Sequence, residues 1–277
     1  YEKGIGVEQD KEEAKRLSID ISRIALEQSK GIDWYSYDPA EWGFDKKNGR
    51  LVIKGQRPLD DYINGRYICQ LIFYLHWEYN LPWRREHMSD IMSVVVCHGV
   101  SSICDYAFYQ CENLKSIILP YSVKSIGKDA FNGCKGLTSI IIPDSVTIIG
   151  SGAFSSCKKL ACINFPCSIT SIDSQAFSNC TALASIIIPN SVTNISYGAF
   201  SHCSALASIV IPPSVTSIGN CAFEYCSALT SIIIPTSVTS IGNGSFEGCT
   251  NLKTVSIPED LEYPWGTFPK GATINRC

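Results

Sequence analysis

Apolar residues recur along this chain in a fixed long rhythm. From about Ile91 onward three series step by 23 residues. Prolines stand at 120, 143, 166, 189, 212, 235 and 258, and phenylalanines at 108, 131, 154, 177, 200, 223 and 246. Cysteines stand at 111, 134, 157, 180, 203, 226 and 249. Such a period marks a solenoid, in which each turn buries its apolar residues only by stacking on its neighbours. In the turn that opens at Leu137, the spacing of Leu137, Ile140 and Ile142 is L-x-x-L-x-L, and strand alternation points all three inward. Pro143 has no N–H and ends that strand. Val146 and Ile149 turn inward in a second extended piece, and Gly150 supplies a turn. The A-F-x-x-C segment then predicts one helical or 3₁₀ turn that plugs the coil with Phe154 and Cys157. The first strand of the series is Val94-Val95-Val96, with Cys97 at the later proline position, and the last is Val255-Ser256-Ile257. The pattern predicts about seven complete right-handed turns, closed at the far end by Leu261–Cys277 with Trp265 and Phe268.

Before Ile91 the rhythm changes. Trp42-Gly43-Phe44-Asp45, Asn48-Gly49 and Leu51-Val52-Ile53 predict a β-hairpin, with Asn-Gly as its turn signal. The apolar run Tyr67–Trp77 predicts a helix or strand buried under a cap; at 11 residues it is about half of what a membrane-spanning helix needs. Ala14, Leu17, Ile21, Ile24 and Ala25 fall at helical spacing.

Two resemblances attach to these residues. The repeat resembles the Treponema-type leucine-rich repeat of the BspA-like family, whose turns run I-P-x-S-V-T-S-I-G-x-x-A-F-x-x-C. Ile211-Pro212, Ser214-Val215-Thr216-Ser217-Ile218-Gly219, Ala222-Phe223 and Cys226 follow it. Departures are few: Asp173 and Ser196 stand for the turn glycine, and Ser245 for the alanine. The segment before the repeats resembles the same family in its Trp-containing strand, Gly49–Gly55, Asp61-Tyr62 and Pro82-Trp83. Tyr1-Glu2-Lys3-Gly4-Ile5-Gly6-Val7, Asp10 and Ala14 resemble the end of a Sel1-like repeat, which implies a larger protein with helical repeats upstream. The expected fold is α+β: a leucine-rich-repeat solenoid of 23-residue turns with parallel strands, preceded by a small α+β cap and an N-terminal helix. The expected divisions are a Sel1-like helical tail at 1–30, a cap at 31–90 and the solenoid at 91–277.

Charge supports a boundary near Asp90. Residues 1–92 carry 14 Lys/Arg and 16 Asp/Glu, whereas 93–277 carry 9 and 10. The formal net charge of −3 gives no electrostatic reason to expect nucleic acid as partner. No catalytic motif appears, and no cofactor is expected. The ladder cysteines, flanked by core phenylalanine and leucine, are expected to be small buried residues rather than metal ligands or disulfides. Cys97-His98 with Cys104 lacks a recurring ligand pair, so no metal site is expected. The other cysteines, Cys69, Cys97, Cys104, Cys162, Cys167, Cys221 and Cys277, are unpaired by pattern and favour a reducing compartment.

Candidate binding residues are therefore the outward strand positions. These are Ser116, Ile118, Ser139, Ile141, Ser185, Ile187, Ser208, Val210, Ser231 and Ile233. An uncharged aliphatic stripe bordered by serines suits a protein or glycan ligand, although β-branched residues also favour strands for their own sake. A threonine row, Thr147, Thr170, Thr193, Thr216 and Thr239, is expected to satisfy a solvated edge. The BspA-like resemblance implies a cell-surface or secreted adhesion protein. The alternatives are an intracellular protein–protein scaffold and the recognition module of a larger protein with Sel1-like repeats.

Overall fold

The computed structural model describes residues 34–37, 40–55 and 88–277. The expected N-terminal helix and the Tyr67–Trp77 stretch lie outside the described residues. Among the described residues there is no helix, so the α+β expectation gives way there to an all-β architecture.

Three strands, β1 (Trp34–Tyr37), β2 (Ala40–Asp45) and β3 (Arg50–Gly55), form an antiparallel meander. The expected hairpin is β2–β3, with Asp45 opposite Arg50, so a four-residue loop rather than a two-residue turn joins them. Asp45 organises that loop by accepting the Lys47 N–H at 3.0 Å and Asn48 Nδ2 at 2.6 Å. These bonds hold its carboxyl below the ordinary range, the Asn48 side chain contributing most. Gly49 closes the loop at φ +60, where an added Cβ would lie 2.9 Å from Met92 Cε.

The meander joins the solenoid directly, because β3 pairs in parallel with β4 (Ser93–Val96). Beyond β4 two kinds of short strand alternate. The first kind builds the main strand face: β6 (Ser116–Ile118), β8 (Ser139–Ile141), β10 (Cys162–Asn164), β12 (Ser185–Ile187), β14 (Ser208–Val210), β16 (Ser231–Ile233), β18 (Thr254–Ile257) and β19 (Thr273–Arg276). The second kind lies on the adjoining side: β5 (Ser102–Ile103), β7 (Ser125–Ile126), β9 (Ile148–Ile149), β11 (Ser171–Ile172), β13 (Asn194–Ile195), β15 (Ser217–Ile218) and β17 (Ser240–Ile241). All pairings within the solenoid are parallel and in register by equivalent residues. The count is about eight turns, one more than expected. The extra rung is β19, which pairs with β18 through Thr254 opposite Thr273, a step of 19 residues that the 23-residue rhythm passes over.

The A-F-x-x-C segment is not a helical plug. Its amides alternate between two partners. Asp129, Phe131 and Gly133 donate to Ser151 O, Ala153 O and Ser155 O of the next turn at 2.8–2.9 Å. Ala130, Asn132 and Cys134 close tight turns onto carbonyls three residues back. The alternation uses left-handed backbone two residues before and two residues after each core phenylalanine. Every described non-glycine residue with positive φ falls in these two columns, among them Tyr106, Asp129, Asn179 and Tyr225. Gly133, Gly152, Gly198, Gly244 and Gly248 fill the remaining places, where glycine costs least. Gly150, by contrast, does not have positive φ. Its column needs glycine because a Cβ would sit 2.7 Å from Lys128 N of the preceding turn.

The core follows from this register. Phe108, Phe131, Phe154, Phe177, Phe200, Phe223, Phe246 and Phe268 stack face to face, with ring centroids 5.2–5.7 Å apart. The ladder cysteines lie beside them, buried, and from Cys134 onward each thiol donates to the phenylalanine carbonyl one turn earlier, as in Cys157 to Phe131 O at 3.2 Å. Serine hydroxyls tie a third column, Ser145 to Val123 O at 2.6 Å and Ser214 to Val192 O at 2.7 Å. Ser245 keeps the alanine column satisfied by donating to Gly219 O and Gly242 O.

One turn departs from the rest. Phe165 takes the place of the usual Leu or Ile and packs edge-on against Phe177 at 5.2 Å. Ile163 is half-buried where its equivalents are buried, and Asp173 brings a Cβ into the glycine column. The second-kind sheet divides at this turn, between β9 and β11; the main face divides between β10 and β12, as it also does between β6 and β8 and between β14 and β16. Next to it the Ser191 hydroxyl is buried without a hydrogen-bond partner.

Phe177, stacked between two rings and met edge-on by a third, is the test of this core. Phe177→Ala is expected to lower unfolding free energy by ~3–5 kcal/mol in denaturant titration, as a cavity the parallel turns cannot close. A change below ~1 kcal/mol would place that ring outside the load-carrying stack.

Candidate functional site on the outward strand face

Strand alternation, once the inward residues are fixed, leaves two outward positions on each rung. The structure places Ser116, Ser139, Ser185, Ser208 and Ser231 at the first, all exposed. At the second, Ile141, Ile187, Val210 and Ile233 are 78%, 84%, 75% and 69% exposed, and Ile118 is half-buried. The inward residues between them, such as Ile186, Ile209 and Ile232, are buried. At the near end of the row Val95 is buried, so the exposed stripe begins beyond Ile118. Asn164, on the irregular turn, interrupts it. Ile187, Val210 and Ile233 form the longest uninterrupted run, with Ile187 opposite Val210 in the pairing of β12 with β14. Among the described residues the Ser185, Ser208 and Ser231 hydroxyls find no protein partner, so donor and acceptor capacity is left for a ligand.

The threonine row has a different duty. Thr147, Thr193, Thr216 and Thr239 each donate their hydroxyl to a carbonyl of the preceding turn at 3.1–3.3 Å. They fasten the solvated edge and carry no free array of donors.

Burial keeps the ladder thiols protonated. Burial raises the ladder thiols from an ordinary 9.0 to about 12 at Cys157, Cys203 and Cys249, and well above the ordinary value at Cys134, Cys180 and Cys226. Burial likewise pushes Cys97 up to about 11. A thiol held protonated is neither a nucleophile nor a metal ligand. Among the described residues no cysteine is in a disulfide, and Cys162, Cys167 and Cys277 are exposed. No group of three or more His, Cys, Asp or Glu among them is arranged to hold a metal. No helix among them is long and apolar enough to cross a membrane.

The far end corrects one expectation. Phe268 does close the stack, but Trp265, expected to close it too, is 92% exposed. Tyr197 and Tyr225 are also exposed on the loop side. Nothing in the 23-residue rhythm marks these three aromatics, because each occupies a column that is polar or small in the other turns.

A parallel solenoid with L-x-x-L-x-L strands and a one-sided stacked core defines a leucine-rich-repeat scaffold. A family model described as the BspA type leucine-rich repeat region, six copies long, matches residues 87–207 and 179–264. The chain belongs to this family. Its fold is similar to that of a leucine-rich repeat protein from Bacteroides ovatus, 24% identical with a TM-score of 0.57, over 87% of this chain and 71% of that one. It is also similar to the leucine-rich repeat protein of T. pallidum (25% identity, TM-score 0.49, 79% and 91% of the two chains). A third similar structure is the pneumococcal vaccine antigen PcpA (19% identity, TM-score 0.43, 61% and 51%). No curated protein matches.

The raised thiols have a consequence for pH. A group more protonated in the folded state than in the unfolded state stabilises the fold below its unfolded pKa and loses that contribution as pH rises toward the folded value. The melting temperature is therefore expected to hold to about pH 8 and to fall steadily as pH climbs from the ordinary thiol value of 9.0 toward about 12. A thermal melt series across that window checks it; an unchanged melting temperature at pH 11 would contradict the buried thiol ladder.

Proposed function

We propose that this chain is a non-catalytic recognition scaffold that binds a protein ligand on its strand face, as a cell-surface adhesion protein of the BspA type. The observation that carries the reading is the run Ile187, Val210 and Ile233. Three neighbouring aliphatic side chains stand 69–84% exposed on strands that already have a fully packed inner side. Strand propensity accounts for β-branched residues in general, but a contiguous uncharged stripe beside free serine hydroxyls is the kind of surface partners bury. The binding residues in this reading are Ser116, Ile118, Ser139, Ile141, Ser185, Ile187, Ser208, Val210, Ser231 and Ile233. Membership of the family supports a repeat-based binding scaffold. The surface location rests on the family resemblance. The Sel1-like resemblance of residues 1–30 favours instead a module within a larger intracellular assembly, and the two readings differ in the partner they require.

The experiment is surface binding of the full chain to a panel of extracellular-matrix proteins, in parallel with Ile187→Asp and Ile233→Asp. At least one matrix protein is expected to bind saturably, and each variant to weaken that binding by about tenfold or more with its melting temperature unchanged. No matrix binding, or equal binding by both variants, sinks the reading. A large fall in melting temperature would show that these side chains belong to the core.

A further inference from the structure

The loop side of the last turns carries a second surface that the strand-face reading does not use. Its alignment follows from the phenylalanine stack. Phe246 N–H donates to Thr267 O, and Phe268 stacks on Phe246 at 5.2 Å. Phe268 therefore takes the next place in the column, 22 residues on, and the final turn is one residue short on this side. The residue three before each core phenylalanine then gives one column across four turns: Tyr197, Asn220, Asn243 and Trp265. All four are exposed, Tyr197 at 51% and Trp265 at 92%. At ~4.8 Å per turn the two rings stand about 14 Å apart along the solenoid axis.

We infer that this column is a binding strip for an extended, uncharged oligosaccharide. Tyr and Trp offer flat apolar faces with a polar edge, which suit the C–H faces of sugar rings. Neither Tyr197 nor Trp265 stacks on another ring among the described residues, so both faces are unspent. Between them two amides supply donors and acceptors for hydroxyls. Asn220 is fixed in orientation because its Oδ1 accepts the Asn243 N–H at 2.8 Å, which leaves its NH₂ group to a ligand. Glu224, held by the Ser201 hydroxyl at 3.3 Å, and the exposed Glu247 flank the strip as further acceptors. Tyr197, Asn220 and Asn243 are held by the loop-side backbone ladder, and the turn of Trp265 by the Phe246 N–H to Thr267 O, so little order has to be imposed on binding.

Charge narrows the ligand class. Residues 160–252 contain neither Lys nor Arg; at the far end Lys270 follows Trp265 in sequence and Arg276 is engaged over the Tyr263 ring at 5.8 Å. Two carboxylates beside a strip so short of cations disfavour sulfated, sialylated or phosphorylated chains. A peptide strand finds no open edge here, because the amides of this side already bond from turn to turn.

The test is calorimetric titration of the full chain with neutral oligosaccharides, using β-linked glucose, β-linked N-acetylglucosamine and α-linked glucose series from one ring to six. Heparin and sialyllactose serve as anionic probes. At least one neutral series is expected to bind, with affinity rising with length until both rings are spanned. Trp265→Ala and Tyr197→Ala are each expected to lower that affinity by about tenfold or more and to abolish the length dependence, with melting temperature unchanged. Trp265→Phe, which keeps a ring, is expected to retain most of it, and Ile187→Asp all of it. The inference is overturned by absence of binding to every neutral series, by preference for the anionic probes, or by undiminished binding in both alanine variants. Loss of sugar binding in Ile187→Asp alone would move the site to the strand face.

Discussion

Registration of one turn on the next through the loop-side backbone governs this molecule. Each of the first six repeats sends three N–H groups, from its core phenylalanine and the residues two before and two after it, to carbonyls 22 residues further along, all in the same direction. Meeting that demand with intervening tight turns needs left-handed backbone at two fixed places, which a regular helix does not offer. The same register sets phenylalanine on phenylalanine. It also leaves each phenylalanine carbonyl with a spare lone pair, which the thiol of the following turn takes. Cysteine fits there because it is small, apolar enough for burial and still a weak donor. The cysteine column from Cys134 to Cys249 is in this sense a hydrogen-bonding property of the repeat.

The parts legible in the sequence were those in which one residue type repeats. Inward Leu, Ile, Val, Phe and Cys follow from periodicity, and the outward Ser and Ile positions follow from alternation. The left-handed columns were illegible because they are filled by whatever tolerates that backbone: Gln110, Asp129, Ser156, His202, Cys221 and Tyr225 share no composition. Glycine misled in the opposite direction, since Gly150 is needed for close approach and not for a turn. β19 escaped because it comes after 19 residues, without the leucine or proline of its predecessors. Trp265 was assigned to the core because large aromatics near a solenoid end usually cover it. Only the one-residue contraction fixed by Phe268 shows that it belongs to an outer column.

The irregular turn shows what the register tolerates. Phe165 and Asp173 add volume at two places where the neighbouring turns hold Leu or Ile and mostly glycine, and the second-kind sheet parts there, between β9 and β11. Yet the phenylalanine stack and the loop-side ladder run through without interruption, with Phe154 on Phe177 at 5.5 Å and Gly152 N–H to Ser174 O at 2.9 Å. The strand sides can thus loosen while the loop side holds.

A consequence follows for where function resides. In a stack of near-identical turns the inward residues are bound by their equivalents above and below, so they carry no information beyond the fold. Outward residues have no such partner and are free to differ. On the strand face the difference lies in Asn164 and Ser256, which interrupt the aliphatic row and confine the uninterrupted stripe to the turns of Ile187, Val210 and Ile233. On the loop side it lies in Tyr197 and Trp265, standing where other turns place Ser151, Ser174 or an asparagine. The two surfaces share the same C-terminal turns but project from different sides of one rigid coil, so a change in either leaves the other's geometry intact. Departures from the repeat, rather than the repeat itself, are where specificity has to be sought.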